Sequence, residues 1–395
     1  MQAVVLAQLC SGQQTQMTQT TNDQEVNLRI PGPTPVPAAV LQAMARPMID
    51  HRGPEFAAIL TRVTDHLNYF FQTNTDILCF PAAGTGAMEA TVVNLFSPGD
   101  AVAAITIGAF GNRFAKIAET FGLNVTRIES PWGQAANAQA VMERLAGIGN
   151  LRGVLMTHNE TSTGVTNDVK ALAGAIRAQY PDILLAVDAV SSLSCVDLRM
   201  DEWNLDVVFT GSQKGWMVPP GLAMIGVNAR AWKAVQQSRM PRMYWDFAWA
   251  KRSLDKGQTP YTPPVALFYG LDAALEMMRA EGREAIFARH QAIGEYTRTR
   301  AQQLGLELLA DPAFASNTVT AIKAPAGIEV KALRKALREQ DRVVIAGGQD
   351  QLEGKIVRIG HLGYVHQPDI SATMDALERQ LIALGYQVPA SARPH

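Results

Sequence analysis

Two apolar runs in this chain each deliver a group able to handle a proton. Ile183-Leu184-Leu185-Ala186-Val187 ends on Asp188, and Val207-Val208-Phe209-Thr210 breaks at Gly211 and leads through Ser212 and Gln213 to Lys214. A lysine and an acid at the C-terminal ends of buried strands form the arrangement that pyridoxal phosphate (PLP) chemistry requires. The amine forms a Schiff base with the cofactor aldehyde, and the carboxylate keeps the pyridine nitrogen protonated so that the ring accepts electrons. Taken singly, Lys214 reads as a surface lysine after a strand and Asp188 as a turn cap. A third feature joins them. Pro81-Ala82-Ala83-Gly84-Thr85-Gly86-Ala87-Met88-Glu89-Ala90 is a small-residue loop running into a helix, where free backbone N–H groups make a phosphate site and Thr85 adds a hydroxyl. The competing dinucleotide fingerprint fails, because Glu89 stands where its third glycine should be and no clear acidic strand end follows at the expected distance.

Three further stretches carry candidate groups. Gly108-Ala109-Phe110-Gly111-Asn112-Arg113 follows a strand end and offers Phe110 either to a planar cofactor or to the core. Thr157-His158-Asn159-Glu160-Thr161-Ser162-Thr163-Gly164 is dense in hydroxyls, which suits a cofactor's phenolic oxygen or a helix-capping loop. Arg358 lies inside the apolar strand Ile356–Ile359, where an unpaired guanidinium is costly. Its partner is either a substrate carboxylate held bidentately or a structural ion pair.

These residues need a scaffold. At 395 residues the chain has room for a large domain and a smaller one. Strands are expected at Ala101–Ile107, Asn124–Ile128, Gly153–His158, Ile183–Val187, Val207–Thr210 and Leu222–Val227, with helices such as Phe114–Phe121 and Val169–Gln179 between them. That alternation gives an α/β layered domain with a mostly parallel sheet and ligands at the carboxyl ends of its strands. A Pro- and aromatic-rich connector spans Met240–Asp246 and Thr259–Pro264, and a long helix starts near Val265. After a helix over about 283–304, a small α+β domain follows: strand Asn317–Ile322, helix Val330–Glu339, strands Val343–Ala346 and Ile356–Ile359, and helix Asp369–Leu384. The expected division is a disordered leader over 1–26, a large domain over 27–275 and a small one over 276–395. A net charge of −1 leaves no electrostatic footprint for nucleic acid or an anionic membrane, and no apolar run approaches the roughly 20 residues of a membrane span. Cys10, Cys79 and Cys195 show neither metal spacing nor a disulfide framework, which fits the cytoplasm.

From Asn27 to Leu384 the chain resembles the class V, fold-type I aminotransferases, in particular the alanine–glyoxylate and serine–glyoxylate (serine–pyruvate) family. The resemblance is carried by Ile30–Pro37, His51–Phe56, the Gly84–Glu89 loop, Thr157–Gly164, Val187-Asp188, Gly211–Lys214, Pro260–Pro263 and Arg358-Ile359-Gly360, in that order. It implies a seven-stranded, mostly parallel large-domain sheet. It also implies that Lys214 bears the cofactor, Asp188 faces the pyridine nitrogen, and Val190 and Phe110 pack on the ring. Gly84, Thr85 and Gln213 would hold the phosphate, and Thr161 would offer its hydroxyl. Thr262, with Tyr261 beside it, would reach the phosphate of a neighbouring subunit in a homodimer with shared active sites. Arg358 would bind the substrate carboxylate, with Gly32 and Pro33 lining its pocket. Two departures stand out: Phe110 replaces the tryptophan, and Ala83 the Ser or Thr, of some members.

The implied activity is ping-pong transamination, in which an amino acid such as serine or alanine gives its amino group to glyoxylate or pyruvate. Lys214 moves the α-proton as general base and acid. A cysteine desulfurase is the nearest rival, but it needs a nucleophilic cysteine in the C-terminal part, and none follows Cys195. A subunit of a larger complex that keeps the fold without turnover is the rival from another class.

Overall fold

The computed structural model describes residues 26–389, so the 1–25 part of the expected leader lies outside the described residues. Its centre is a seven-stranded sheet. From edge to edge the strands are Asp76–Ala82, Gly221–Val227, Val207–Gly211, Leu184–Asp188, Leu151–Thr157, Ala101–Thr106 and Asn124–Glu129. Only Gly221–Val227 runs against its neighbours; the other six point the same way. Their carboxyl ends at Ala82, Thr106, Thr157, Asp188 and Gly211 therefore share one edge of the sheet.

Both faces of this sheet are covered, which is why its strands read as continuous apolar runs. Successive side chains still alternate. Leu185 and Val187 enter a core with helices Pro54–Phe71, Val169–Gln179 and Val265–Glu281, whereas Leu184 and Ala186 face Gly84–Leu95 and Ala109–Thr120.

A second, four-stranded sheet has the order Asn27–Arg29, Val343–Gly347, Ile356–Gly360, Val319–Lys323. Its core is shared with helices Arg283–Gln303, Val330–Gln340 and Gln367–Ala383. Two elements straddle the expected 27–275 and 276–395 division. Asn27–Arg29 pairs in parallel with Val343–Ile345, and the Val265–Glu281 helix crosses position 275.

The expected strands appear within one or two residues of their sequence positions, and three elements depart from the reading. Asp76–Ala82 is a strand although it contains Pro81; it lies at the sheet edge, where a missing N–H removes no ladder bond on the open side. The aromatic connector holds a helix, Phe247–Leu254, capped by the Asp246 side chain accepting from Trp249 N at 2.7 Å. The helix expected from Phe114 begins at Ala109, which places Phe110 in its first turn.

Candidate active site

Lys214 lies just beyond the Val207–Gly211 strand, on the shared edge. Its Nζ donates to the Pro31 carbonyl. The next turn of the N-terminal segment is pinned to the lysine backbone: Thr34 N donates to Gln213 O at 3.1 Å and Thr34 Oγ1 to Lys214 O at 2.9 Å. Gly32, with φ +118°, is where that segment passes closest. A Cβ there would fall 2.6 Å from Lys214 Cδ and 2.7 Å from Nζ, so Gly32 lies directly against the lysine side chain. Burial, with Arg358 adding positive charge, brings the Lys214 ammonium down to about 8, against the opposing pull of Asp188.

Asp188 ends the neighbouring strand and is buried; Val190 N donates to its Oδ1 at 2.9 Å. Burial pushes its carboxyl up to about 7, with Glu160 adding to the rise, while the Val190 N–H, Lys214 and Arg113 oppose it. The apo site thus holds a carboxyl that ionises reluctantly unless a cation is placed against it.

Two helices start at the same edge, and their first turns differ. Ala109–Thr120 is fully capped from the Thr157–Gly164 loop. Ala109 N donates to Ser162 Oγ at 3.0 Å, and Phe110 N and Gly111 N donate to Glu160 Oε2 at 3.1 and 3.0 Å. Gly84–Leu95 has no side-chain cap, and the Gly84 and Thr85 N–H groups bond to no described residue. An anion can be received only at the second. Around it, Gln213 Oε1 is buried without a partner, and Arg113 donates to Thr85 Oγ1 at 3.3 Å while lying 4.8 Å over the Phe110 ring. Arg113 forms no ion pair with a described residue. Gly84 packs on Val190, and a Cβ on it would fall 2.6 Å from Val190 Cγ2. Gly84→Ala is therefore expected to cost about 1–3 kcal/mol of stability by overpacking. A lowered Tm that is partly restored by adding Val190→Ala checks this; equal Tm values for the single variant and the parent would contradict it.

Arg358 enters from the four-stranded sheet. Nε donates to Gly347 O at 2.8 Å, and one terminal nitrogen donates to Thr161 O at 3.0 Å and Gln349 Oε1 at 3.1 Å. The other terminal nitrogen bonds to no described residue. No described carboxylate lies within 4.0 Å, so the structural ion pair open in the sequence is absent among the described residues. Burial brings this guanidinium down to about 10. Carbonyls orient it, and its charge is left for something else.

A family model described as aminotransferase class-V matches residues 26–371. The chain belongs to the class-V aminotransferases. It is 44% identical to the soluble hydrogenase small subunit of Synechococcus sp., over 91% of this chain and 94% of that one. It is 40% identical to the L-aspartate–glyoxylate aminotransferase of Paracoccus denitrificans, over 85% of each, and 36% identical to the serine–glyoxylate aminotransferase of Methylorubrum extorquens, over 92% of each. Among solved structures, alanine–glyoxylate aminotransferase from Nostoc sp. superposes with a TM-score of 0.87 at 30% identity, over 94% of this chain and 100% of that one.

Within this class-V aminotransferase the residues singled out from sequence fall into two groups. Gly32, Pro33, Gly84, Thr85, Phe110, Thr161, Asp188, Val190, Gln213, Lys214 and Arg358 converge on one edge. Thr161 Oγ1 donates to Ser191 Oγ at 2.8 Å there. Thr262 is exposed and bonds to none of them; beside it Tyr261 donates to Met243 O at 2.8 Å and stacks on Tyr244 at 4.8 Å. Sequence reasoning gave no role to Glu160, Arg113 or Ser191. An acid inside an otherwise uncharged hydroxyl run was the available signal for Glu160.

Proposed function

We propose that this class-V aminotransferase binds PLP at Lys214 and moves the amino group of a small amino acid, serine or alanine, to glyoxylate or pyruvate. The observation that carries the reading is the union, on one edge, of a lysine near neutral titration, a buried acid, an uncapped helix N-terminus and a guanidinium without a carboxylate. The residues fit the cofactor: the Gly84 and Thr85 N–H groups at an uncapped helix start bond to no described residue, and Gly84 packs on Val190 with no side chain of its own in the way. When bound, PLP supplies an aldehyde for the amine and a ring that accepts electron density from the substrate α-carbon.

The chain's own groups then have defined tasks. Gly84 N and Thr85 N would hold the phosphate, with Gln213 beside them; Phe110 and Val190 would flank the ring; Thr161 would offer its hydroxyl. Asp188 would face the ring nitrogen, and a proton there would give the buried carboxylate a cation to pair with. Lys214, brought down to about 8, can give and take a proton near neutral pH at the α-carbon. Arg358 takes the α-carboxylate with its free nitrogen edge. A cytoplasmic location fits the buried free thiols of Cys79 and Cys195. The deciding experiment is an assay of PLP-loaded protein with serine, alanine and aspartate against glyoxylate, pyruvate and 2-oxoglutarate. The relatives named as hydrogenase subunits favour a second reading, a silent member of a complex. No turnover with any pair would support that alternative.

The Asp188 assignment has a pH signature. Its carboxyl is raised in the folded apoprotein, so this group's contribution to stability is present at low pH and is lost as pH rises from about 4 through about 7. A cationic ring nitrogen offsets that loss. The rise in Tm on adding PLP is therefore expected to be larger at pH 8 than at pH 5, and Asp188→Asn should flatten the difference. The same pH dependence in parent and variant would move the role to another acid.

Thr262 and Tyr261 are assigned to the phosphate of the other subunit in a homodimer. Dilution to monomer should then release PLP, followed by absorbance in parallel with light scattering. A monomer that keeps PLP at undiminished affinity would contradict the shared site.

A further inference from the structure

Glu160 is fully buried, yet it forms no ion pair with a described residue. Hydrogen-bond donors contact it directly, and the nearby Arg358 guanidinium feels its charge without an ion-pair contact. Besides the Phe110 and Gly111 N–H groups at 3.1 and 3.0 Å, its carboxylate accepts from Ser162 N at 3.1 Å and Ser162 Oγ at 2.6 Å. Two of these donors belong to the first turn of the Phe110 helix, whose dipole favours a negative charge at that point. The other two belong to the loop that carries Thr161. Thr161 in turn lends its carbonyl to Arg358.

The surroundings are shaped to admit this carboxyl. A Cβ on Gly108 would lie 2.4 Å from Glu160 Cγ, so a side chain at 108 would push the acid off the helix. Asn159-Glu160 also forms a short antiparallel pair with Val165-Thr166, which fixes the backbone from which the side chain reaches across.

We propose that Glu160 is a positioning residue for the cofactor ring, tethering the first turn that bears Phe110 to the Thr161 loop. It acts through Phe110 and touches no reacting atom. The proposal rests on the reading of this edge as a PLP site. It also accounts for a buried carboxylate that burial pushes above its usual range while four hydrogen bonds pull it back.

The test is a double-mutant cycle on the PLP dissociation constant, measured by absorbance titration of apoprotein, with circular dichroism to confirm folding. Glu160→Gln keeps the shape but turns an NH2 group toward backbone donors, and the dissociation constant should rise about 3- to 10-fold, no more than the loss of the Phe110 ring itself costs. Phe110→Ala should raise it about 3- to 10-fold by removing the stacked ring. The double variant should be little worse than Glu160→Gln alone, because a loosened tether has already released Phe110. Additive losses, or an unchanged dissociation constant in folded Glu160→Gln protein, would overturn the proposal. If Glu160→Gln does not fold, Ser162→Ala loosens the same tether and completes the same cycle with Phe110→Ala. Wild-type protein that binds no PLP would instead refute the PLP reading itself.

Discussion

Lys214→Ala is expected to leave a folded protein that still takes up PLP but has lost turnover by about 10²- to 10⁴-fold or more, the range that general acid–base catalysis alone contributes. The fold should tolerate the change. Below about pH 8 the buried ammonium is held against its tendency to lose a proton, so removing it relieves a penalty that is fully present at neutral pH. That penalty fades as pH rises from about 8 toward the ordinary lysine value of 10.5. The Tm of the apo variant should accordingly match or exceed the parent's near pH 7 and lose that advantage above pH 10. Two readouts assign the site independently of rate. Borohydride treatment of the PLP-loaded parent should leave the cofactor on the peptide containing Lys214, and the variant should show no such adduct. A reduced adduct on a different lysine would end the assignment.

What could be read from the chain and what could not divides along one physical line. Asp188, Lys214 and Arg358 were legible because each interrupts or ends an apolar strand, and burial makes a charged group conspicuous there. Elements defined by local pattern were found on the same basis. Features that depend on a distant partner were not. The helix expected from Phe114 starts at Ala109, because its first turn is capped by Glu160 about 50 residues later. Asn27–Arg29 had no reason to belong with the C-terminal sheet until Val343–Ile345 was seen beside it. Asp76–Ala82 contains Pro81 and is absent from the expected strands; its position at the sheet edge is what accommodates the proline. The surroundings of Arg358 were likewise open. Sequence showed that the guanidinium needed partners but could not distinguish carbonyls from a carboxylate.

That distinction gives Arg358→Lys its expected consequence. A structural ion pair would tolerate a lysine, whereas an orienting cradle of carbonyls around a planar fork would not. Nε and one terminal nitrogen are fixed by Gly347, Thr161 and Gln349, which aims the remaining terminal nitrogen and leaves it without a carboxylate in contact, although Glu160 acts on its charge from farther off. A lysine keeps a positive charge but cannot bond the same three carbonyls and so cannot hold that orientation. A charge-assisted contact from the free terminal nitrogen to a carboxylate contributes about 1.5–3 kcal/mol, so kcat/KM should fall about 10- to 150-fold for every amino donor. The loss should be of similar size for serine, alanine and aspartate, because the α-carboxylate is common to all three. PLP absorbance and affinity should be unchanged, since Arg358 contacts the substrate and not the phosphate. A loss confined to aspartate would place Arg358 against a side-chain carboxylate instead. Parent-like kinetics from soluble, PLP-loaded Arg358→Lys protein would return the arginine to a purely structural role.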